Sequence, residues 1–334
     1  MRDFEQDVIR SANFDGSVKL SYFSWSLAAQ MLFGKCPRAY FIRYMIAQGG
    51  WDQFCHPAAA SAYREKHLQK LDFFLGDLFH ESVNEALIAV STADIRIRKQ
   101  LFDKILLKSI SKRLSAMSFA LKNPTDDPKS LHLLELRGAK RLFSSPDEVV
   151  YYAAQTLKNA YTSLIVSELP GELFTLPGSV WNVQNKYVSF QVDGVPVYIH
   201  PGLIFQSQGK LHCIDFVCSE NEPNEQDFSP RKAAIFSLFA ENYRSCSDIF
   251  YREFCFNDKT AVLREIAPVS KSEIRDWLRS GIHEIQSKLR PDGKYYIADF
   301  FCLENQPDVC EKCQFQDTCR LLNRATNAAS ESSV

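Results

Sequence analysis

Four cysteines are spaced in a way that suits a metal centre. Three of them, Cys310, Cys313 and Cys319, lie in the stretch CEKCQFQDTC near the end of the chain, and Cys36 lies near its beginning. Four thiolates are the ligand set of an iron-sulfur cluster. Zinc also accepts four thiolates, and with Cys302 as the fourth ligand the site would be local, as zinc sites usually are. The spacing alone therefore indicates an iron-sulfur cluster or a zinc site.

The other cysteines match no metal-ligand spacing and have mostly apolar or aromatic neighbours, which is typical of buried thiols. They are Cys55, Cys213, Cys218, Cys246 and Cys255. The opening stretch MRDFEQDVIR lacks the apolar core of a signal peptide, and no apolar run is long enough to cross a bilayer. We therefore expect a cytoplasmic protein without a membrane partner, whose ten cysteines serve as metal ligands or core residues rather than in disulfides.

The composition is that of a globular protein, with 46% hydrophobic and 24% charged residues. The net charge of -1 means that binding to nucleic acid would have to rest on a local basic patch. A solvated helix face is the simplest interpretation of the one basic stripe that stands out, and phosphate contact is the alternative. The stripe consists of Arg96, Arg98, Lys99, Lys104, Lys108, Lys112 and Arg113.

The elements that would position these residues divide the chain into a helical first half and a mixed second half. Apolar residues at helical spacing predict helices over 24–45, with a break at Pro37, and over 68–90, 95–121 and 148–167. Residues 123–130, NPTDDPKS, are expected to form a loop.

Strands dominate the second half. Alternation and turn residues predict strands over 187–192, 195–205 and 211–217, joined by turns at Asp193-Gly194 and Gln208-Gly209. A helix over 233–242 and a strand pair over 249–256 and 261–266 are expected to follow. Ser270 and Glu273 form a capping box that opens a helix to Leu289.

Three segments of the chain resemble a known family of nucleases. In SYFSWSLAAQMLFGKCPRAYFIRYM a serine pair precedes Cys-Pro-Arg and aromatic residues follow it, as in RecB-like nucleases of the PD-(D/E)XK superfamily that carry an iron-sulfur cluster. Gly76 and His80 in GDLFHESVNEAL resemble the first active-site helix of that family, and CEKCQFQDTC resembles its cluster-binding tail. CRISPR adaptation nucleases and AddB-type subunits share this arrangement, which here covers residues 21–320.

This resemblance implies an α/β (α+β) fold with a PD-(D/E)XK core, a central mixed sheet flanked by helices. It divides the chain into an N-terminal segment 1–22, a helical region 23–168, a nuclease-like core 169–300, a cluster-binding segment 301–322 and a disordered tail 323–334. It also implies that a 4Fe-4S cluster staples the two ends of the chain, with zinc as the alternative. The implied ligands are Cys36, Cys310, Cys313 and Cys319.

The catalytic pattern of that family is incomplete in this chain. The family holds Mg²⁺ or Mn²⁺ between an acid on the second core strand and an acid on the third, with a lysine two residues further on. Laid on VPVYIHPGLIFQSQGKLHCIDFVCSE, the first acid is replaced by Gly202 and the lysine by Val217, whereas Asp215 remains. His80 of the active-site helix also remains.

Two residues could stand in for the missing groups. The helix after the third strand carries Lys232 and Phe236 where the family has a glutamine and a tyrosine, and the Lys232 ammonium could replace the lost lysine. His200 could offer a nitrogen ligand, but residues two apart on a strand are about 7 Å apart. Imidazole is also a poorer ligand for Mg²⁺ than carboxylate. His80, Asp215 and Lys232 are thus residual catalytic candidates, and bound Mg²⁺ or Mn²⁺ is not expected.

These substitutions predict a catalytically inactive nuclease fold, a pseudo-nuclease that acts as a DNA-binding or scaffold subunit of a nucleic-acid-processing complex. The expected setting is DNA repair or antiphage defence, with a helicase, an active nuclease or another nucleic-acid effector as partner. Two alternatives remain open: an active metal-dependent DNA nuclease with a rearranged site, and an iron-sulfur redox sensor that controls a partner.

Overall fold

A computed structural model describes residues 23–52, 54–55, 57–136, 142–176, 181–183, 188–200, 202–207, 210–219, 228–242, 249–288, 310–311 and 313–322. Over these residues the fold is mixed α/β with two β-sheets, so the predicted α/β class is confirmed. The predicted N-terminal segment and C-terminal tail lie outside the described residues. Among the described helices, none has the length and apolar character that crossing a membrane requires.

The amino-terminal region is a chain of short helices. It comprises β1 (Trp25–Ser26), α1 (Leu27–Lys35), α2 (Pro37–Phe41), a π-helical turn (Ile42–Ile46) and α3 (Pro57–Lys66). The predicted break at Pro37 is confirmed, because Cys36 adopts an extended conformation that ends α1 and caps α2. Proline at the first helical position needs no N–H partner, so a new helix can begin there.

Longer helices follow and pack together. They are α4 (Leu71–Val90), α5 (Ile95–Lys122), α6 (Pro146–Val166) and α7 (Glu168–Phe174), with a 3₁₀ turn at Leu134–Leu136. Asp94 caps α5 and Ser145 caps α6 through side-chain oxygens that accept backbone N–H groups. The three long helices agree with their predicted positions within three residues at each end, and the loop over 123–130 is confirmed.

A hairpin begins the strand-rich half. Strands β3 (Val188–Val192) and β4 (Val195–Ile199) are antiparallel, and β1 pairs in parallel with β4 to complete a three-stranded sheet. The turn is at Asp193 and Gly194, as predicted, with φ angles of 49° and 81°. Positive φ at both central residues gives the backbone twist that matches paired strands, and Gly and Asp adopt it at low cost.

The prediction of one strand over 195–205 is wrong. The segment forms two strands, β4 and β5 (Leu203–Ser207), which belong to different sheets. Between them lies the sequence His200-Pro201-Gly202. Proline has no N–H to continue a ladder, and glycine weakens a strand, so the chain leaves one sheet here and enters the other.

The larger sheet has the strand order β2-β5-β6-β7-β8. Its members are β2 (Trp181–Val183), β5, β6 (Lys210–Cys218), β7 (Ile249–Phe256) and β8 (Ala261–Glu265). Helix α8 (Ser229–Asn242) lies between β6 and β7, which are parallel, and the other pairs are antiparallel. The predicted pair over 249–256 and 261–266 is confirmed, and the predicted turn at Gln208-Gly209 lies outside the described residues.

The predicted last helix is confirmed as α9 (Lys271–Gln286), whose cap is the Ser270 hydroxyl accepting the Glu273 N–H at 3.2 Å. It ends earlier than the predicted Leu289, because residues 287 and 288 form a turn.

The larger sheet lies between two hydrophobic cores. Leu211 and Cys213 of β6 pack into the core shared with α1, α2, α8 and α9, whereas Ile214 and Phe216 pack into the core shared with α4 to α7. Successive strand residues point to opposite faces. Asp215 therefore faces the α8 side of the sheet, where it meets polar side chains from neighbouring elements.

Candidate functional site

Asp215 is a buried carboxylate with a full set of protein partners. Only 5% of the residue is exposed. Its Oδ1 accepts the Gly202 N–H at 3.0 Å, and its Oδ2 accepts the Tyr251 hydroxyl at 2.8 Å. The Lys232 ammonium, from α8, forms a salt bridge with the same Oδ2. The predicted candidates Asp215 and Lys232 are thus brought together.

The Asp215–Lys232 pair stays ionised despite its burial. Burial raises the pKa of Asp215, but the Lys232 charge and the three hydrogen bonds outweigh it and hold that pKa below its usual value. Burial likewise lowers the pKa of Lys232, and the Asp215 charge reverses this and raises it. The ammonium thus neutralises the carboxylate inside the fold.

A second buried carboxylate, Glu253, belongs to the same network. It lies opposite Asp215 in the register of β6 and β7, and the Tyr251 hydroxyl reaches its Oε1 at 3.1 Å. Its Oε2 accepts the Ser229 hydroxyl at 2.9 Å and pairs with the Arg264 guanidinium at 2.7 Å. Sequence reasoning missed Glu253, although an acid in the half-aromatic strand IFYREFCF was a signal.

His80 reaches the same corner from α4. Its Nε2 lies 2.9 Å from the Gly202 carbonyl oxygen and 2.7 Å from Asn84 Nδ2, and its ring meets that of His200 edge-on at 5.6 Å. Burial, reinforced by His80, lowers the pKa of His200, so this ring is neutral at pH 7. His80 thus contacts the backbone between β4 and β5, and Gly202 contacts both His80 and Asp215.

Gly202 has no room for the aspartate that the nuclease family carries at this position. A Cβ atom built on it would lie 2.3 Å from the Ile214 carbonyl oxygen and 3.1 Å from Asp215 Oδ1. No real Cβ atom approaches backbone so closely, so the two strands would have to separate. Phe236, the other replaced residue on α8, stacks on Tyr251 with ring centroids 5.3 Å apart. Val217, two residues after Asp215 on β6, is half-buried.

A cavity of about 740 Å³ opens beside the two histidines. Its lining residues are Asp77, His80, Glu81, Glu85, Ile88, Ala89, Arg113 and His200. Three carboxylates face one guanidinium, and Arg113 already pairs with Glu81 at 2.6 Å and Glu85 at 3.3 Å. Burial raises the pKa of Asp77. Because the cavity is acidic, it repels phosphate.

The residues of the predicted basic stripe on α5 have different roles. Arg98 is buried and donates to the carbonyl oxygens of Ala93 and Leu176 at 2.9 and 2.7 Å, and Arg96 pairs with Asp94. The stripe lysines, Lys99, Lys104, Lys108 and Lys112, are exposed. Arg98 is therefore structural, Arg96 is paired at the surface, and the lysines form the solvated face.

The cysteine-containing ends of the chain lie side by side. Arg38 of α2 donates to the Cys319 carbonyl oxygen at 3.2 Å across 281 positions of sequence. The Cys36 sulfur accepts the Ala39 N–H at 3.4 Å, and the Cys313 sulfur accepts the Phe315 N–H at 3.4 Å. Such N–H donors stabilise thiolates and tune iron-sulfur clusters.

Glu65 of α3 binds the carboxyl-terminal segment through hydrogen bonds. Its carboxylate accepts the backbone N–H groups of Asp317 and Thr318 at 2.9 and 3.2 Å and the Thr318 hydroxyl at 2.5 Å. Gln314 donates to the Glu65 carbonyl oxygen at 3.1 Å. Phe315 is 1% exposed and belongs to the core beside α1 and α2. The segment is therefore an integral part of the fold.

The four cysteines have the chemistry of thiolate ligands and lie on the two segments that meet, but the structure does not gather them into one metal site. Cys310 is exposed, whereas Cys36, Cys313 and Cys319 are half-buried. Over the described ranges, no three histidine, cysteine, aspartate or glutamate side chains are close enough to surround a metal ion. Cys302 and Cys246 lie outside those ranges. Of the remaining cysteines, Cys213 and Cys218 are buried as predicted, and Cys55 and Cys255 are half-buried.

No protein-family model matches the chain, and no curated protein is significantly similar to it.

Proposed function

We propose that this protein is a non-catalytic, nuclease-like subunit that binds nucleic acid in a repair or antiphage-defence complex of the cytoplasm. The observation that supports its lack of catalysis is the neutralised centre at Asp215. The carboxylate accepts hydrogen bonds from Gly202 and Tyr251 and pairs with Lys232. An internal ammonium thus stands where a nuclease would need a metal.

A hard divalent cation requires several oxygen ligands, commonly including more than one carboxylate. Asp215 would have to exchange the Lys232 ammonium for the ion, and Gly202 offers no second acid. Glu253 is the nearest alternative acid along the sheet, but Arg264 and Ser229 already bind it. Without a metal to generate hydroxide and stabilise the transition state, phosphodiester hydrolysis has no catalyst here.

Nuclease assays test this proposal directly. Purified protein is incubated with single-stranded and double-stranded DNA in Mg²⁺ or Mn²⁺, alongside Asp215→Asn and His80→Ala. We expect no cleavage by any of the three, together with binding to DNA that weakens as salt rises. Metal-dependent cleavage by the native chain that both substitutions abolish would overturn the proposal and support a rearranged nuclease.

We further propose that Cys36, Cys310, Cys313 and Cys319 hold a 4Fe-4S cluster, whose role is to hold the two chain ends together. Two contacts support this proposal, Arg38–Cys319 and Glu65–Thr318, because each joins the amino-terminal helices to the carboxyl-terminal segment. A stapled loop of this length restricts the unfolded chain and so stabilises the folded one.

An anaerobic preparation tests the cluster. It should be brown, and Cys36→Ala should remove the colour, whereas the matched control Cys55→Ala should keep it. Cys302→Ala should also keep it. A colourless protein with one zinc per chain, or loss of metal in Cys302→Ala alone, would show instead that the site is a local zinc site.

A further inference from the structure

A cluster of cationic side chains lies at the corner where α3 ends. Arg43 comes from the π-helical turn, Lys66 from the end of α3, and Lys129 from the loop before the 3₁₀ turn. Burial, followed by the charges of Lys66, Lys129 and Arg43, lowers the pKa of His67, and burial followed by Arg43 lowers that of Lys66. The three cations therefore lie near the His67 ring, which is neutral at pH 7.

These cations form no ion pair with a carboxylate within the described ranges of the chain. Asp127 lies near them and offsets part of their charge: it raises the pKa of His67, and its carboxylate accepts the Lys129 backbone N–H at 2.9 Å. The three cations outnumber Asp127, and an excess of positive charge at one corner creates a local potential that attracts anions.

A row of aromatic rings leads from the exposed Trp51 through the buried Tyr63 to this cluster. The Trp51 side chain is 69% exposed and meets Tyr63 edge-on with centroids 5.9 Å apart. Tyr63 in turn meets the His67 ring at 4.6 Å. Phe54, in the same turn as Trp51, is 84% exposed. Large aromatic side chains left in water next to a charged cluster mark an interaction surface.

We infer that this surface, defined by Arg43, Trp51, Lys66, His67 and Lys129, binds single-stranded nucleic acid. The inference rests on the proposed function and names the place where it would act. Proteins that hold single strands combine cations that follow the phosphates with aromatic rings on which bases stack. In a duplex the faces of the bases are stacked on one another, so the Trp51 ring can stack only on the bases of an unpaired strand.

The position of the surface agrees with the electrostatics of the rest of the molecule. The cavity beside His80 carries Asp77, Glu81 and Glu85 and repels phosphate, so it is a poorer place for a nucleic acid than the cationic corner. The end of α3 that carries Lys66 is also fixed, because the neighbouring Glu65 accepts hydrogen bonds from the carboxyl-terminal segment. A fixed platform loses little entropy when a strand binds.

Fluorescence anisotropy with labelled oligothymidylate tests the inference on the full-length holoprotein. Since stacking of one base is worth about 1–3 kcal/mol, Trp51→Ala should weaken binding by about 5-fold or more. Lys129→Gln should reduce the slope of log affinity against log salt by about 0.7, the value for one lost phosphate contact on a single strand. A duplex of the same length should bind more weakly and be insensitive to Trp51→Ala.

Matched controls are available on α5. Phe119 is 71% exposed, and Lys108 is an exposed lysine. Phe119→Ala and Lys108→Gln should bind like the native chain, and oligouridylate should behave like oligothymidylate. Unfolding midpoints equal to that of the native chain would establish that each variant is folded.

The outcomes separate the two proposals. If the native chain binds single strands and the Trp51 and Lys129 variants bind equally well, the surface is wrong while the proposed function stands. If the native chain binds no nucleic acid, both fail. Cleavage by the native chain would overturn the absence of catalysis and leave the surface intact. Binding of poly-glutamate in preference to oligonucleotide would show that the surface takes an acidic protein, and would overturn the inference.

Discussion

The polar centre at Asp215 and the surface at Trp51 use charge in opposite ways. In the centre, each carboxylate has an internal cation: Asp215 pairs with Lys232, and Glu253 with Arg264. On the surface, Arg43, Lys66 and Lys129 have no carboxylate partner within the described part of the chain. Charges that are neutralised inside a fold maintain its structure, whereas charges left uncompensated remain available to a ligand.

Removing the Lys232 ammonium should produce the largest change in stability. Lys232→Met leaves Asp215 as an uncompensated buried charge, which typically costs about 3–5 kcal/mol in the free energy of unfolding. Because 31% of the Lys232 side chain is exposed, we expect a loss of about 3 kcal/mol, measured by urea denaturation.

Two variants show whether that loss is specific to burial. Lys122→Met breaks a pair with Asp147 whose side chains are 51% and 74% exposed, and it should cost less than about 1 kcal/mol. Adding Asp215→Asn to Lys232→Met should restore part of the lost stability, since the charge is gone. Equal losses at Lys232 and Lys122 would contradict the assignment of the centre as buried structure.

Restoring the acid of the nuclease family at Gly202 should be the next most costly change. Gly202→Asp forces a Cβ atom against the Ile214 carbonyl oxygen, and overpacking of this kind costs about 1–3 kcal/mol. It should also yield no Mn²⁺-dependent cleavage, because Lys232 still neutralises Asp215. Gly171→Ala, at a helical glycine with open space around it, should leave stability equal or higher by up to about 1 kcal/mol. Cleavage by Gly202→Asp would show that the centre is one residue from activity.

The elements of this fold were largely predictable, since their signals are local. Helices α4, α5 and α6 follow from apolar periodicity, and the β3–β4 hairpin follows from Asp193-Gly194. The division of 195–205 between two sheets was not predicted, because an apolar run shows no change of sheet. Only the proline and glycine inside it pointed to a break.

The site was predictable only in part, since its contacts are distant in sequence. His80, Asp215 and Lys232 could be located by comparison with a family pattern. Glu253 could not, because its partners Ser229 and Arg264 come from other elements and meet it only through strand register. The Trp51 surface likewise joins Arg43 to Lys129 across 86 positions, and neither residue forms a pattern along the chain.

Weakening the hydrogen bonds of Glu65 should have a moderate, pH-dependent effect on the free energy of unfolding. Burial raises the pKa of Glu65 above its ordinary 4.5, so the folded chain holds that proton more tightly than the unfolded chain. Its contribution to the free energy of unfolding is therefore greatest below pH 4.5 and is lost as pH rises through the raised pKa. Asp215, whose pKa is lowered, behaves in the opposite way: its contribution is present above pH 3.8 and is lost on acidification.

Glu65→Gln tests that sign. It keeps the shape but offers one acceptor oxygen in place of two, so it should cost about 1–2 kcal/mol at pH 7. The excess of the native chain over the variant in unfolding free energy, measured from pH 4 to pH 7, should therefore decrease as pH rises. A difference constant across that range would show that Glu65 titrates as it does in the unfolded chain.

The smallest expected effects on stability are at the Trp51 surface, and they complete the comparison. Trp51→Ala and Lys129→Gln remove exposed groups, so each should change the free energy of unfolding by less than about 0.5 kcal/mol. Urea denaturation of the same preparations used for binding provides the measurement. If either variant loses as much stability as Lys232→Met, the surface is structural, because its side chains would then be maintaining the fold. Preserved stability with weakened binding of single strands would instead assign the uncompensated cations to a ligand.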